Sequence, residues 1–144
     1  MSLNVTLLRE SFDLVVERAP DLTHRFYEIL WERYPATRAM FPPSRHGQQE
    51  NMLSQALIAV MDHLEDAPWL VGTLHGLGAR HVNYGVTDEM YAWVGDALLS
   101  TLRGVAADDW NDELERAWTD AYGAIAGLMQ EGARLSLERQ AAVA

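Results

Sequence analysis

Apolar residues recur at three- and four-residue intervals along nearly the whole chain, and no run alternates apolar with polar as a half-buried strand would. That pattern admits amphipathic helices and little else, so the expected fold class is all-α, with about seven helices. Asn4 is expected to cap a first helix reaching about Ala19, with Leu8, Phe12, Val15 and Ala19 on one stripe. Pro20 suits the first position of a second helix to about Tyr34, where its missing N–H costs nothing; Phe26, Tyr27, Leu30 and Trp31 form the apolar side. Pro35, Pro42 and Pro43 bracket a short helical turn, Ala36–Met40, and then an irregular stretch. A third long helix is expected over about Gln48–Glu65, with Leu53, Leu57, Val60 and Leu64 in register, and a fourth from Trp69 to about Val82, opened by Pro68 and ending before Gly85. Thr87 is expected to cap a helix through about Val105 striped by Met90, Val94, Leu98 and Leu102, with Asp88 and Glu89 matching its dipole. Asp109 is expected to cap the last helix, striped by Leu114, Trp118, Tyr122, Ile125 and Met129, with a frayed tail over about 136–144.

At 144 residues, with no repeat, linker or low-complexity tract, the chain is expected to be a single domain over 1–144. Apolar residues at 49% and charged ones at 22% support a full hydrophobic core. Eleven basic against 21 acidic residues give a formal net charge of −10, which removes the electrostatic drive for nucleic acid or anionic lipid. No run of about 18 apolar residues could span a membrane, and the N-terminus has acids where a signal peptide has an apolar core. Cysteine is absent, which removes disulfides, thiolate metal sites and cysteine nucleophiles together. The expected compartment is the cytoplasm.

Catalytic patterns of high specificity are missing. The chain has no glycine-rich phosphate loop, no GxSxG elbow and no HExxH pair. The acids scatter over helix surfaces, and Glu113 and Glu115 read as a solvated face. Among five histidines, His24 and His63 read as surface residues and His46 as a loop residue. His75 and His81 share a helix but stand about 120° apart around it, so they do not chelate one ion. His81 differs in lying in the last turn of its helix, followed by VNYG, where a ring can project into a cavity. A lone helical histidine is ordinarily a structural residue; a ligand role for His81 needs further support.

That support is a resemblance. The segments FYEILWERYPATRAMF, GQQENMLSQAL, LGARHVNYGV and ELERAWTDAYGAIAGLM, in this order from about Leu8 to Leu135, resemble the bacterial single-domain haemoglobins and the globin domain of flavohaemoglobins. The resemblance implies the globin fold, helices packed at about 50° around a haem b pocket. His81 then matches the proximal ligand to iron, with its other ring nitrogen toward the carbonyl of Leu77. Phe41 matches the family's pocket phenylalanine, and Tyr27, Gln49 and Leu53 match the distal trio facing the bound gas. Met52, Leu74, Leu77, Val82, Val86, Tyr91 and Val94 are expected to wall the pocket. Arg80 is a candidate partner for a haem propionate, and His46 is a second candidate or a sixth ligand to iron.

The implied function is reversible O₂ binding at a five-coordinate ferrous iron, for storage, delivery or buffering. Two hydroxyl and amide donors favour O₂ over CO because O₂ gains more negative charge on binding. The alternative is an enzyme, an NO dioxygenase or weak haem peroxidase served by a separate reductase, since no flavin or nicotinamide domain is expected beyond Ala144. A sensor or interaction module on the same fold is a third reading. One departure weakens the enzyme reading. Flavohaemoglobins back the proximal histidine with a tyrosine and a glutamate; Tyr91 matches the tyrosine, but the glutamate position falls on Ala133. Glu131, about 200° around the helix from it, is not expected to substitute. The chain is expected to be a monomer or homodimer, and Trp69, Trp93 and Trp110 are either core or contact residues.

Overall fold

The computed structural model describes residues 3–143, and within them the seven expected helical segments are all present. They are α1 (Val5–Arg18), α2 (Leu22–Arg33), a 3₁₀ segment (Pro35–Met40), α3 (His46–Asp62), α4 (Ala67–Asn83), α5 (Asp88–Ala106) and α6 (Asp112–Val143). Two three-residue 3₁₀ turns, Pro43–Arg45 and Ala107–Asp109, join them, and there is no strand among the described residues.

Helix ends differ from expectation where the backbone finds a better partner. Asn4 caps α1, its Oδ1 accepting from Leu7 N at 3.2 Å. Pro20 lies before α2 rather than in it: Ala19 N–H closes α1 on the Val15 carbonyl, and Leu22 N–H then bonds the Ala19 carbonyl, turning the chain at Pro20–Asp21. α4 starts two residues early because Asp66 caps it, accepting from Trp69 N at 3.2 Å. Thr87 occupies the cap position of α5 without a side-chain bond; Asp88 and Glu89 supply the favourable charge in the first turn. The cap of α6 is Asn111, accepting from Leu114 N at 2.9 Å, not Asp109. Asp109 is used up in the 3₁₀ turn that begins at Ala107, a residue held at φ 49°. The expected frayed tail is helical through Val143: SLERQAAVA contains no helix breaker, and Arg134–Glu138 and Gln140–Ser136 pair at i,i+4 along it. Ala144 lies outside the described residues.

Two apolar clusters fill the interior. The larger joins Leu8, Phe12 and Val15 of α1 with Val60 and Met61 of α3, Leu74 of α4, Leu102 of α5 and Leu114, Trp118 and Ala121 of α6. A buried polar tie runs through it: Trp118 Nε1 donates to Ser11 Oγ at 2.9 Å, and Ser11 donates onward to the Leu7 carbonyl at 2.7 Å. The smaller gathers Phe26, Tyr27 and Leu30 of α2 around Ala97 of α5. α4 and α6 cross in backbone contact, which two glycines permit. A Cβ on Gly78 would stand 1.8 Å from the Met129 carbonyl oxygen, and one on Gly132 would stand 2.2 Å from that of His75. This crossing fixes the far half of α4, where His81 sits.

The tryptophans left open by periodicity are all half-buried contacts. Trp69 stacks on His63 at 3.8 Å, Trp93 stacks on Tyr34 at 5.1 Å, and Trp110 Nε1 donates to Glu115 at 3.1 Å. His63 is therefore half-buried under Trp69, with Nδ1 on the Ala59 carbonyl at 2.7 Å, rather than a free surface residue. Glu115 is likewise no free surface acid: Arg103 grips both its oxygens, at 2.6 and 2.9 Å.

Candidate functional site

α2 places Phe26, Tyr27 and Leu30 inward because its apolar positions fall one and four apart, on a single face. Tyr27 is 4% exposed, and its ring lies between Trp31, stacked at 5.3 Å, and Phe26, edge-on at 4.9 Å. The 3₁₀ segment after α2 is locked by Thr37, whose buried hydroxyl donates to the Tyr34 carbonyl at 2.7 Å. It delivers Phe41 to within 5.3 Å of the Tyr27 ring.

α3 then begins at His46, so that Gln49 falls in its first turn and reaches back over Tyr27. Gln49 Nε2 donates to Tyr27 Oη at 3.0 Å. Leu53, one turn on, and Val94 of α5 pack against the same cluster. Burial pushes the Tyr27 phenol up to about 12, partly opposed by the Gln49 hydrogen bond, so the hydroxyl keeps its proton at any working pH. Since the oxygen accepts from Gln49, the phenol hydrogen is available to another acceptor.

On α4, His81 Nδ1 meets the Leu77 carbonyl at 2.6 Å, one turn earlier, as a donating Nδ1–H would. Nε2 is then the lone-pair nitrogen, and the ring's one hydrogen bond among the described residues is that of Nδ1 to Leu77. Desolvation holds the His81 pKa below its ordinary value, with the Arg80 charge adding to that and the Leu77 bond opposing it. The ring is therefore a neutral imidazole, the form that ligates metals. The His81 carbonyl also anchors the turn that ends the helix, accepting from Tyr84 N and Val86 N at 3.1 Å each, with Gly85 at φ 83°. Tyr84 stands edge-on to the His81 ring at 5.7 Å.

The remaining expected residues divide. Leu74 and Leu77 pack with the larger cluster, Leu74 being 2% exposed. Val82 and Val86 are half-buried. Met52 is 54% exposed, so its side chain is no pocket wall in this conformation: it lies on the outer side of α3, between the inward positions Gln49 and Leu53. Arg80 is exposed and enters no ion pair among the described residues. His46 does not project freely: its Nε2 meets the Phe41 carbonyl at 2.9 Å and its ring packs on Trp31 at 4.4 Å. Tyr91 is 7% exposed, and its hydroxyl has no hydrogen-bond partner among the described residues, while its backbone carbonyl accepts from Tyr122 Oη at 2.5 Å. Glu131 faces His75, 3.3 Å from its Nε2.

Three contacts around the pair were not anticipated. Trp31 forms the outer layer of the aromatic stack. Thr23 and Ser54 share a hydrogen bond at 3.2 Å, and His24 Nδ1 lies 2.9 Å from Glu50, so two polar pairs clamp α2 to α3 next to Tyr27–Gln49. His24 is exposed, as expected, but tethered. Their i,i+4 spacing on the facing helices was the available signal: Thr23 and His24 stand one turn before Tyr27 and Glu28, as Glu50 stands one turn before Ser54.

Comparison with known proteins bears on this geometry. The sequence profile of the globin family matches residues 24–129. Over 125 residues the chain is 33% identical to a flavohemoprotein of Bordetella pertussis, an alignment covering 85% of this chain and 31% of that one. A Vibrio cholerae flavohemoprotein is 29% identical over 144 residues, covering 97% and 36% respectively. The chain thus spans about a third of the length of the curated relatives it matches. Among solved structures, a bacterial globin from Campylobacter jejuni superposes with a TM-score of 0.80 at 24% identity, covering 93% of this chain and 96% of its own. An engineered carbene transferase from Rhodothermus marinus superposes at 0.81 with 25% identity and 95% of both chains covered.

Proposed function

The chain belongs to the globin family, whose members bind haem, and we propose that it binds O₂ reversibly at a haem b iron ligated by His81. The observation that supports this reading is the directed bond from Gln49 to Tyr27 beside Phe41, together with an oriented His81 on α4. The donor set fits haem: one imidazole with a free Nε2, an aromatic wall, and apolar residues on three helices. Haem supplies a ferrous iron that takes up a diatomic gas. This chain's residues do the rest. Leu77 fixes the His81 tautomer and ring plane, Phe41 and Leu53 exclude water, and Tyr27 offers its hydrogen to the gas while Gln49 holds the phenol oxygen in place. His46 is tied to the Phe41 carbonyl, so its Nε2 is engaged within the fold and His81 would be the residue to hold the iron.

A second reading, NO dioxygenation with electrons from a separate reductase, is favoured by the flavohemoprotein relatives. It is weakened by Ala133 and by Glu131, which faces His75, so that the Tyr91 hydroxyl has no carboxylate partner among the described residues.

An optical spectrum of the purified protein tests the first reading. Dithionite reduction is expected to give one broad visible band that splits into two in air and shifts with CO. Two sharp bands in the reduced protein would mean a second protein ligand and overturn the open-face reading. Loss of NO without net turnover when a ferredoxin reductase is supplied would sink the second.

A further inference from the structure

Acidic residues are spread along this chain, 21 in all, yet none occurs between Glu32 and Glu50. That span carries Arg33, Arg38, Arg45 and His46, and it delivers Phe41 and Gln49 to the pocket. Its charges are not equivalent. Arg33 is bound to Asp96 at 3.0 Å and to Ser100 at 2.6 Å, so it is spent within the fold. Arg38 and Arg45 are exposed and enter no ion pair among the described residues. Glu50, the acid that closes the span, is engaged by His24.

The same surface overlies aromatic rings. The Arg38 guanidinium stands 5.3 Å from the Trp31 ring, and His46 packs on that ring. Trp31 in turn stacks on Tyr27 and lies 5.9 Å from Phe41. The Arg38 guanidinium therefore sits at the outer end of a continuous ring path, Trp31 to Tyr27 and Phe41.

We propose that this surface, Arg38 over Trp31 with Arg45 adjoining the Trp31-packed His46 in sequence, is the docking surface for an acidic one-electron carrier protein that reduces the haem iron. The proposal rests on the haem reading above. The carrier gives up one electron, ferric iron becomes ferrous, and no bond or proton is exchanged. The net charge of −10 opposes an acidic partner at long range, and at physiological salt screening over about 8 Å weakens that opposition so that the local charges dominate the docked contact. Packed rings shorten the through-space gaps between the docked carrier and the pocket.

The test uses the haem-loaded protein and an acidic plant-type [2Fe–2S] ferredoxin as probe. Reduction of the ferric protein is followed by stopped flow at 0.15 M salt, and binding of oxidised ferredoxin by calorimetry. In the double variant Arg38→Glu, Arg45→Glu, the second-order rate and the affinity are each expected to fall roughly tenfold or more. Arg38→Lys with Arg45→Lys should stay within about threefold of the parent, because the charge is kept. Arg116→Glu, an exposed site on α6, should match the parent. CO spectra of the parent and each variant report the pocket separately: absence of a haem band in the parent defeats the haem reading, while calorimetry still scores docking. Equal rates and affinities in the parent and the double variant overturn the proposal. So does loss of haem uptake in that variant, which would assign the arginines to the haem carboxylates. Charge-dependent binding to phosphatidylglycerol vesicles with no ferredoxin effect would overturn it in favour of a membrane surface.

Discussion

The Gln49 amide donates to the Tyr27 hydroxyl across 3.0 Å, and the direction of that bond decides what the phenol can do. An oxygen already accepting from an amide turns its own hydrogen elsewhere. The polarised phenol is then a better donor than either group alone. Because burial raises the phenol to about 12, no pH in the working range removes that hydrogen.

Tyr27→Phe should therefore speed O₂ dissociation. A hydrogen bond to a charged acceptor is worth ~1.5–3 kcal/mol, which converts to roughly ten- to a hundredfold in rate. CO dissociation should change far less, since bound CO carries less negative charge. Gln49→Leu should act in the same direction but more weakly, by the ~0.5–1.5 kcal/mol of a neutral bond, and the two effects should not add. Stopped-flow O₂ displacement on the two variants and the double variant measures this; an unchanged rate in Tyr27→Phe would refute the donor role.

The α4–α6 crossing gives a stability prediction. Gly78→Ala and Gly132→Ala each drive a methyl into backbone rather than into a flexible side chain, so the helices must separate. Overpacking costs about 1–3 kcal/mol and more where backbone has to move. Urea denaturation should show both variants destabilised, and haem retention should suffer in step because His81 shares α4 with Gly78. Gly72→Ala, with open space around its Cβ, should cost nothing of the kind.

Much of this was legible in the sequence because the period of its apolar residues is a direct consequence of helix geometry. The stripe Leu8, Phe12, Val15 and the stripe Leu114, Trp118 are both in the core as written. Helix ends were less legible. Whether Asp109 or Asn111 caps α6 depends on a 3₁₀ turn at Ala107 that no local propensity announces. Of the site, Tyr27, Phe41, Gln49 and Leu53 are in one place, whereas Met52 points away because neighbours on a helix stand about 100° apart. Spacing makes His46 a loop residue and a candidate propionate partner or sixth ligand; its tie to the Phe41 carbonyl needs the tertiary position of Trp31, which spacing does not encode.

Ser11 and Trp118 test the buried polar tie in the larger cluster. Ser11→Ala leaves the indole N–H in an apolar interior without an acceptor, at a cost of ~1–3 kcal/mol. Adding Trp118→Phe removes the stranded donor and should recover part of the unpaired-donor penalty, against a separate loss of packing. A thermal-melt double-mutant cycle reads the coupling, and additive effects would show that the bond contributes nothing.

Acid should act through Glu115. Its hydrogen bonds from Arg103 lead the causes that hold its pKa at about 2, against an ordinary 4.5, opposed by some desolvation. A depressed carboxylate contributes stability above pH 4.5 that is lost as pH falls toward 2. Glu115→Gln should therefore flatten the acid limb of the stability profile in that window and leave the slope above pH 5 alone. The effect will be small because the pair is partly exposed and screened by salt.

Alkali should act on the pocket through His24. Its hydrogen bond to Glu50 is the main reason its pKa lies above 6.5, with both Glu50 and Glu28 adding charge attraction. A raised histidine contributes fully below 6.5 and loses that contribution as pH rises through its folded value, so the α2–α3 clamp loosens on the alkaline side. Since Glu50 adjoins Gln49 and His24 stands one turn from Tyr27, O₂ dissociation should quicken as the clamp is lost, by about twofold at most for an exposed pair. His24→Gln should show the faster rate at every pH and no inflection. An inflection that survives in that variant would assign the pH response to another group.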